Sequence, residues 1–116
     1  MTEDRVYMTI LFDHYGALLT ERQQKLMALR YNDDLSLSEI AEVSGGTRQS
    51  VWDTLRRAEA VLQDMEARLG LVRRLAAHRA AAARMEQLLG ELTGLTEGRA
   101  RALCQELAQC AAEFKE

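Results

Sequence analysis

The chain has 116 residues, enough for one compact domain with an extension. It contains no proline and only 5% aromatic residues, so the composition favours an all-α fold and excludes a sheet-rich one. The net charge of −3 excludes a protein that is held on nucleic acid by bulk charge alone.

The sequence shows no targeting or membrane segment. Its first residues have neither the basic start nor the apolar run of a signal peptide, and no stretch approaches membrane-spanning length. We therefore expect a cytoplasmic protein without membrane insertion.

Catalytic and ligand-binding signatures are equally weak. Cys104 and Cys110 lie on different sides of a predicted helix, too far apart to bridge, and both histidines are isolated from them. No glycine-rich loop follows a strand, and the adjacent Asp33 and Asp34 are typical of a turn before a helix. Because no nucleophile has an identifiable base, we expect no enzyme activity and no metal or other cofactor.

The amino-terminal part of the chain predicts two helices. The first should run from about Asp4 to Tyr15 and bury some of its apolar side chains. Those candidates are Val6, Met8, Ile10, Leu11, Phe12 and Tyr15. Thr20 and Gln23 have the spacing of a capping box, which opens a second helix to about Tyr31.

The next segment has the pattern of a helix-turn-helix. Ser36 and Glu39 form another capping box, and the short helix that they open ends before Gly45 and Gly46. The two glycines supply the backbone freedom of a sharp turn, after which Thr47 caps the second helix. This motif favours recognition of nucleic acid or another macromolecule over catalysis.

The second motif helix has a buried line that begins at Val51, Leu55 and Ala58, so the side chains opposite face outward. Trp52 lies beside that outward face and either packs on a neighbour or stacks on an unpaired base. The predicted nucleic-acid-binding residues are Thr47, Arg48, Gln49, Trp52, Arg56 and Arg57, together with Arg73 and Arg74 further along the chain.

These side chains suit different parts of a nucleic acid. Gln49 and Arg56 suit base edges, whereas Thr47 and Arg57 suit phosphates. Asp53 would repel phosphates unless it pairs with Arg56 or reads a cytosine. The alternative is that the arginines form an ordinary solvated helix face.

The helix should continue beyond the motif along a heptad-like seam, and only Gly70 interrupts the pattern. The seam comprises Val51, Leu55, Ala58, Leu62, Met65, Leu69, Val72 and Ala76. It packs either on the remaining helices or, in its distal half, on a second copy in a homodimer. We accordingly predict a helix-turn-helix domain over 1–70 and a helical extension over 71–116.

The extension begins with a basic segment and ends with an amphipathic helix. No acidic residue occurs from Ala67 to Met85, and the arginines there predict a solvated face, a phosphate-contacting surface or a site for an acidic protein. Thr96 is the expected cap of the last helix. Its apolar face is Ala100, Leu103, Leu107, Cys110 and Phe114, suited to internal docking, dimerisation or a partner helix.

Several of these segments together resemble the YlxM family over about residues 5–70. The resemblance rests on residues 11–15, 18–20 and 33–42, on Gln23, and on a group in the second motif helix. That group is Arg48, Gln49, Val51, Asp53, Leu55 and Arg57. Members are small bacterial helix-turn-helix proteins, similar to the promoter-binding region 4 of sigma factors.

The resemblance implies an accessory role in the signal recognition particle pathway, through the particle's RNA, its GTPase or both. A DNA-binding transcriptional regulator related to sigma-factor region 4 is the alternative. In a third interpretation the motif is a scaffold, and the helical extension docks a protein partner.

Overall fold

The computed structural model describes residues 2–114 of the protein. Within this range the chain forms α-helices and no strand, which confirms the all-α prediction. The helices are α1 (Thr2–Tyr15), α2 (Glu21–Met27), α3 (Leu37–Ser44), α4 (Arg48–Leu69), α5 (Leu71–Leu95) and α6 (Gly98–Glu113). A 3-10 turn at Gly16–Leu18 follows α1, and a π-helical turn at Ala28–Asn32 extends α2. No helix among the described residues is both long and apolar enough to cross a membrane.

Helix starts follow the predicted capping boxes. Thr20 Oγ1 accepts a hydrogen bond from the Gln23 amide at 3.2 Å, and Gln23 Oε1 accepts from the Thr20 amide at 3.1 Å. Ser36 and Glu39 make the same reciprocal pair at 3.1 and 3.0 Å. Both boxes are local, so four residues of sequence suffice to specify each start.

The chain divides into two compact units, one ending at Val72 and one beginning at Arg73. The core of the first unit is built by large apolar side chains from α1 to α4, including Leu11, Leu26 and Ile40. On α1 the prediction was right for Met8, Leu11 and Tyr15, which are buried. Val6 lies on the exposed side of the helix instead, since it does not share their face.

The long helix predicted through Gly70 is interrupted there. Gly70 adopts the left-handed conformation with φ 62°, and its amide donates to the carbonyl of Glu66 at 2.8 Å. This ends α4 at Leu69, so Val72 and Ala76 belong to another helix. Glycine has no Cβ and adopts this conformation without steric penalty. Because the left-handed conformation ends the helix, the heptad-like seam cannot continue through Gly70.

A buried polar network closes the junction between α4 and α5. Glu66 Oε1 accepts from the Tyr15 hydroxyl at 2.6 Å and from the Val72 amide at 3.0 Å. The Leu71 amide donates to the Tyr15 hydroxyl oxygen at 3.1 Å. These bonds satisfy amide groups of the first turn of α5, which have no partner within the helix.

The second unit contains α5 from Arg73 onward and α6. The cap of α6 is Glu97, so the prediction of Thr96 was wrong. The Thr96 hydroxyl donates to the carbonyl of Leu92 at 2.9 Å and therefore belongs to the end of α5. Cys104 and Ala111 form the buried side of α6, one position after the apolar face in the sequence pattern.

Candidate nucleic-acid interface

The start of α4 is fixed by a turn and a cap that involve neighbouring residues only. Gly45 and Gly46 have φ values of 83° and 93°, in the region that favours glycine. Thr47 Oγ1 then accepts from the Ser50 amide at 3.0 Å, and Ser50 Oγ accepts from the Thr47 amide at 3.0 Å. α3, this turn and α4 form the predicted helix-turn-helix.

Helix α4 presents one face to the core and the other to solvent. Val51, Leu55 and Ala58 are buried, as the sequence predicted, and Leu62 continues the same line. The predicted contact residues on the other side, Thr47, Arg48, Gln49, Trp52, Arg56 and Arg57, are all exposed. Because the first turn of α4 contains no acidic residue, the positive end of the helix dipole is open to an anion there.

Trp52 is the most exposed large aromatic group of this face, with 45% of its surface accessible. The Arg56 guanidinium lies over the indole ring, 5.3 Å from the ring centroid. Leu37, Arg48 and Gln49 join Trp52 around a shallow cavity of about 550 Å³. An aromatic surface with cationic and amide groups at its edge can stack on a planar base and contact its polar rim.

Asp53 is hydrogen-bonded to Gln49, and not to Arg56 as the sequence suggested. Gln49 Nε2 donates to Asp53 Oδ1 at 3.1 Å, whereas Arg56 lies against Trp52. The Gln49 amide must therefore leave Asp53, or share its hydrogen bonds with it, in order to read a base edge. This pairing weakens the case for ordinary major-groove reading by Gln49.

Residues from α2 and its π-helical turn border the same face and were missed by sequence reasoning. Arg22 Nη2 donates to the carbonyl of Gly45 at 3.4 Å, at the turn of the motif. Tyr31 and Glu59 line a second cavity of about 220 Å³ together with Arg56. Arg22 and Tyr31 lie outside the motif in sequence, so only the tertiary packing of α2 beside α4 reveals them.

The Tyr31 hydroxyl donates to Glu59 Oε2 at 3.1 Å. Burial and, after it, the neighbouring Glu59 carboxylate raise the pKa of Tyr31 to about 12. The phenol is therefore protonated throughout the physiological range and remains a hydrogen-bond donor. Tyr31 also packs against the guanidinium of Arg5, which lies 5.1 Å from its ring centroid and forms an ion pair with Asp34.

The two remaining candidate residues, Arg73 and Arg74, are exposed and lie in the second unit, on α5. Two further arginines of the basic segment, Arg68 and Arg84, contact polar side chains on their own helices. Arg68 forms an ion pair with Asp64 at 2.9 Å, and Arg84 donates to Gln87 at 3.0 Å. The structure thus groups six of the eight candidates on α4.

Comparison with known proteins agrees with this architecture. Residues 2–97 match the model of the UPF0122 family, described as "Putative helix-turn-helix protein, YlxM / p13 like". A UPF0122 protein of Bacillus mycoides is 43% identical over 91 residues, which cover 78% of this chain and 83% of the relative. One from Thermoanaerobacter sp. (strain X514) is 49% identical over 74 residues, or 64% of this chain. That match spans 63% of the length of the Thermoanaerobacter relative.

Proposed function

Because the chain belongs to the UPF0122 family of helix-turn-helix proteins, we propose that it is a non-enzymatic regulator that binds nucleic acid through the outward face of α4. The observation that carries this proposal is the exposed Trp52, with Arg56 over its ring and Arg48 and Gln49 beside it. The open, anion-attracting start of the same helix supports it.

Each candidate residue has a role that follows from its chemistry. Arg48 and Arg57 contact phosphates on either side of the helix, and the Thr47 hydroxyl adds a contact near the helix start. Arg56 reads a base edge, and Trp52 stacks on a base. In the second unit, Arg73 and Arg74 suit phosphate contacts.

We propose that the ligand is the RNA of the signal recognition particle, in keeping with the YlxM resemblance. Two features of α4 favour RNA with unpaired bases over a regular duplex. The Trp52 ring is open enough to accept a base, which duplex DNA keeps stacked. The bond between Gln49 and Asp53 occupies a side chain that a duplex-reading helix would use for base contacts.

A DNA-binding regulator related to sigma-factor region 4 is the second candidate. The observation that favours it is the geometry of the motif, in which α4 begins directly after the turn and exposes one face of its first two turns. Under this alternative, Gln49 and Arg56 substitutions relax sequence preference, and selection from random duplexes enriches a motif.

The proposal is tested by titrating the full chain against labelled signal recognition particle RNA, with an unrelated duplex DNA of equal length as competitor. Replacing Arg48, Arg56 and Arg57 together with glutamine should lower the affinity by about 10- to 100-fold and reduce its dependence on salt. The matched control is Arg101→Gln, which removes a positive charge from an exposed position on α6.

The outcomes separate the candidates. Tight binding that duplex DNA does not displace, together with the loss in the α4 variant, supports RNA. Binding that DNA displaces with sequence preference favours the DNA regulator. Binding to the particle's GTPase in the absence of RNA, lost on removing the second unit, would replace both with a protein-docking role.

A further inference from the structure

The two helices of the second unit approach each other through small side chains. Only Thr96 and Glu97 separate α5 from α6, and the two form one compact unit, so they run antiparallel. The buried positions are Ala82 on α5 and Cys104 and Ala111 on α6. Side chains of this size bury little apolar area.

Larger apolar side chains of the same two helices stay outside this contact. They form what we call the leucine face: Met85, Leu88, Leu92 and Leu95 on α5, and Leu103, Leu107 and Phe114 on α6. Their exposed fractions run from 41% for Leu103 to 83% for Leu95. On α5 the spacing is alternately three and four residues, which is the pattern of a helix that packs against another helix.

Both stripes lie on the same side of the antiparallel pair. On α6 Leu103 precedes the buried Cys104 by one residue, and on α5 Leu88 and Leu92 precede the partly buried Leu89 and Thr93 in the same way. One residue back along a helix is a fixed rotation about its axis. Because the two axes are antiparallel, this rotation turns both stripes to the same side of the pair, where they join into a continuous apolar surface.

We propose that the leucine face is the contact between two copies of this chain, which together form a four-helix bundle from their second units. The exposed area of the seven side chains is on the order of 700 Å², close to the roughly 800 Å² that each partner buries in a stable complex. Monomeric proteins rarely leave a patch of this size uncovered.

The charges beside the face complement each other in such a pair. In an arrangement with the two-fold axis along the helices, α5 of one copy lies antiparallel on α6 of the other. When residues are counted from the connection between the helices, Arg84 is then level with position 109 of the partner copy, between the partner's Glu106 and the partner's Glu113. A surface that carries positive and negative charges at facing positions is more complementary to a second copy of itself than to a uniformly acidic or basic partner.

The proposal is tested on the full chain by sedimentation equilibrium. The wild type should have twice the 13.1 kDa mass of one chain. Leu92→Glu with Leu107→Glu should reduce this to the monomer mass, since two carboxylates enter an apolar contact. Leu18→Glu with Val43→Glu is the matched control, because both residues are exposed but lie in the first unit, and it should remain dimeric.

A second set of variants uses charge alone and leaves the leucines in place. Arg84→Glu should weaken association by about tenfold or more, and so should Glu106→Arg with Glu113→Arg. Combining all three changes should restore it. Restoration is expected only if the two sites meet across a self-contact, so a foreign partner could not produce it.

Three results would overturn the proposal. One is a monomeric wild type at about 100 µM, a concentration at which even a micromolar pair is populated; the face would then belong to a different protein. Another is a dimer that persists in the leucine variant while circular dichroism shows intact helices. The third is a triple charge variant that associates no better than Arg84→Glu.

Discussion

The two units of this protein bury very different side chains. The first unit encloses large residues from four helices, and Leu11, Leu26 and Leu62 are completely inaccessible. In the second unit the buried apolar residues within the described range are Ala82, Cys104 and Ala111, whereas the exposed fractions of the larger apolar side chains on the leucine face run from 41% to 83%. The first unit therefore carries its own core, and the second offers its apolar surface to something else.

The largest expected effect comes from removing a core leucine. Leu62→Ala should lower the free energy of unfolding by about 3 kcal/mol, because it leaves a cavity in a closed core. Leu103→Ala, on the partly exposed side of α6, should lower it by less than about 1 kcal/mol when the protein is dilute. Urea unfolding followed by circular dichroism measures both. Equal losses would mean that the second unit is as closed as the first.

The next effect concerns the buried network at the junction of α4 and α5. Glu66→Ala removes the acceptor of both the Tyr15 hydroxyl and the Val72 amide, and should destabilise the protein by about 2–3 kcal/mol. Asp64→Ala, two residues away, breaks only an exposed ion pair with Arg68 and should lose at most about 0.5 kcal/mol. If both variants unfold at the same urea concentration, the network does not stabilise the junction.

Two glycines should respond to alanine with opposite signs. Gly46→Ala should destabilise the first unit by about 1–2 kcal/mol, since its φ is positive and the new Cβ would lie 2.8 Å from Ser50 Oγ. Gly90→Ala should stabilise α5 by about 0.5–1 kcal/mol, because the site is helical and open. Thermal unfolding of the two variants gives the signs directly. A loss in both would contradict the open surroundings of Gly90.

The smallest effect is a dependence on acid pH. Hydrogen bonds from Ser36 hold the pKa of Glu39 below its ordinary value of 4.5. An acidic group whose pKa is lower in the folded than in the unfolded state stabilises the fold at pH values above its unfolded pKa. For Glu39 this contribution disappears as pH falls below about 4.5. Glu39→Gln keeps the capping geometry but should flatten this part of the stability curve. An unchanged slope between the two proteins at acid pH would exclude Glu39 as its source.

The sequence predicted those parts of the fold that depend on neighbours in the chain. The capping residues Thr20, Ser36 and Thr47 and the two turn glycines specify local conformations, and each lies where it was expected. The prediction of Thr96 as the cap of α6 was wrong because a threonine can either cap the following helix or donate a hydrogen bond to the preceding one. The local sequence pattern does not decide between the two.

Features that depend on distant packing could not be predicted. A glutamate such as Glu66 is expected at the surface. In the fold it is buried, and the hydroxyl of Tyr15 on α1 donates a hydrogen bond to it. On α6, a stripe of large apolar side chains and a stripe of small ones lie next to each other. The helix buries the stripe of small side chains, at Cys104 and Ala111. At the candidate interface, Arg22 and Tyr31 approach α4 only through the tertiary fold, whereas the exposed α4 residues could be found from helical periodicity alone.

The most direct test of nucleic-acid binding through α4 is a nuclear magnetic resonance titration of the full chain with signal recognition particle RNA. We expect the largest shifts on the backbone amides of residues 47–57 and on the indole of Trp52, the only tryptophan in the sequence, with smaller shifts at Arg73 and Arg74. Shifts confined to the second unit, or to the opposite side of the first, would contradict the assignment of nucleic-acid binding to α4.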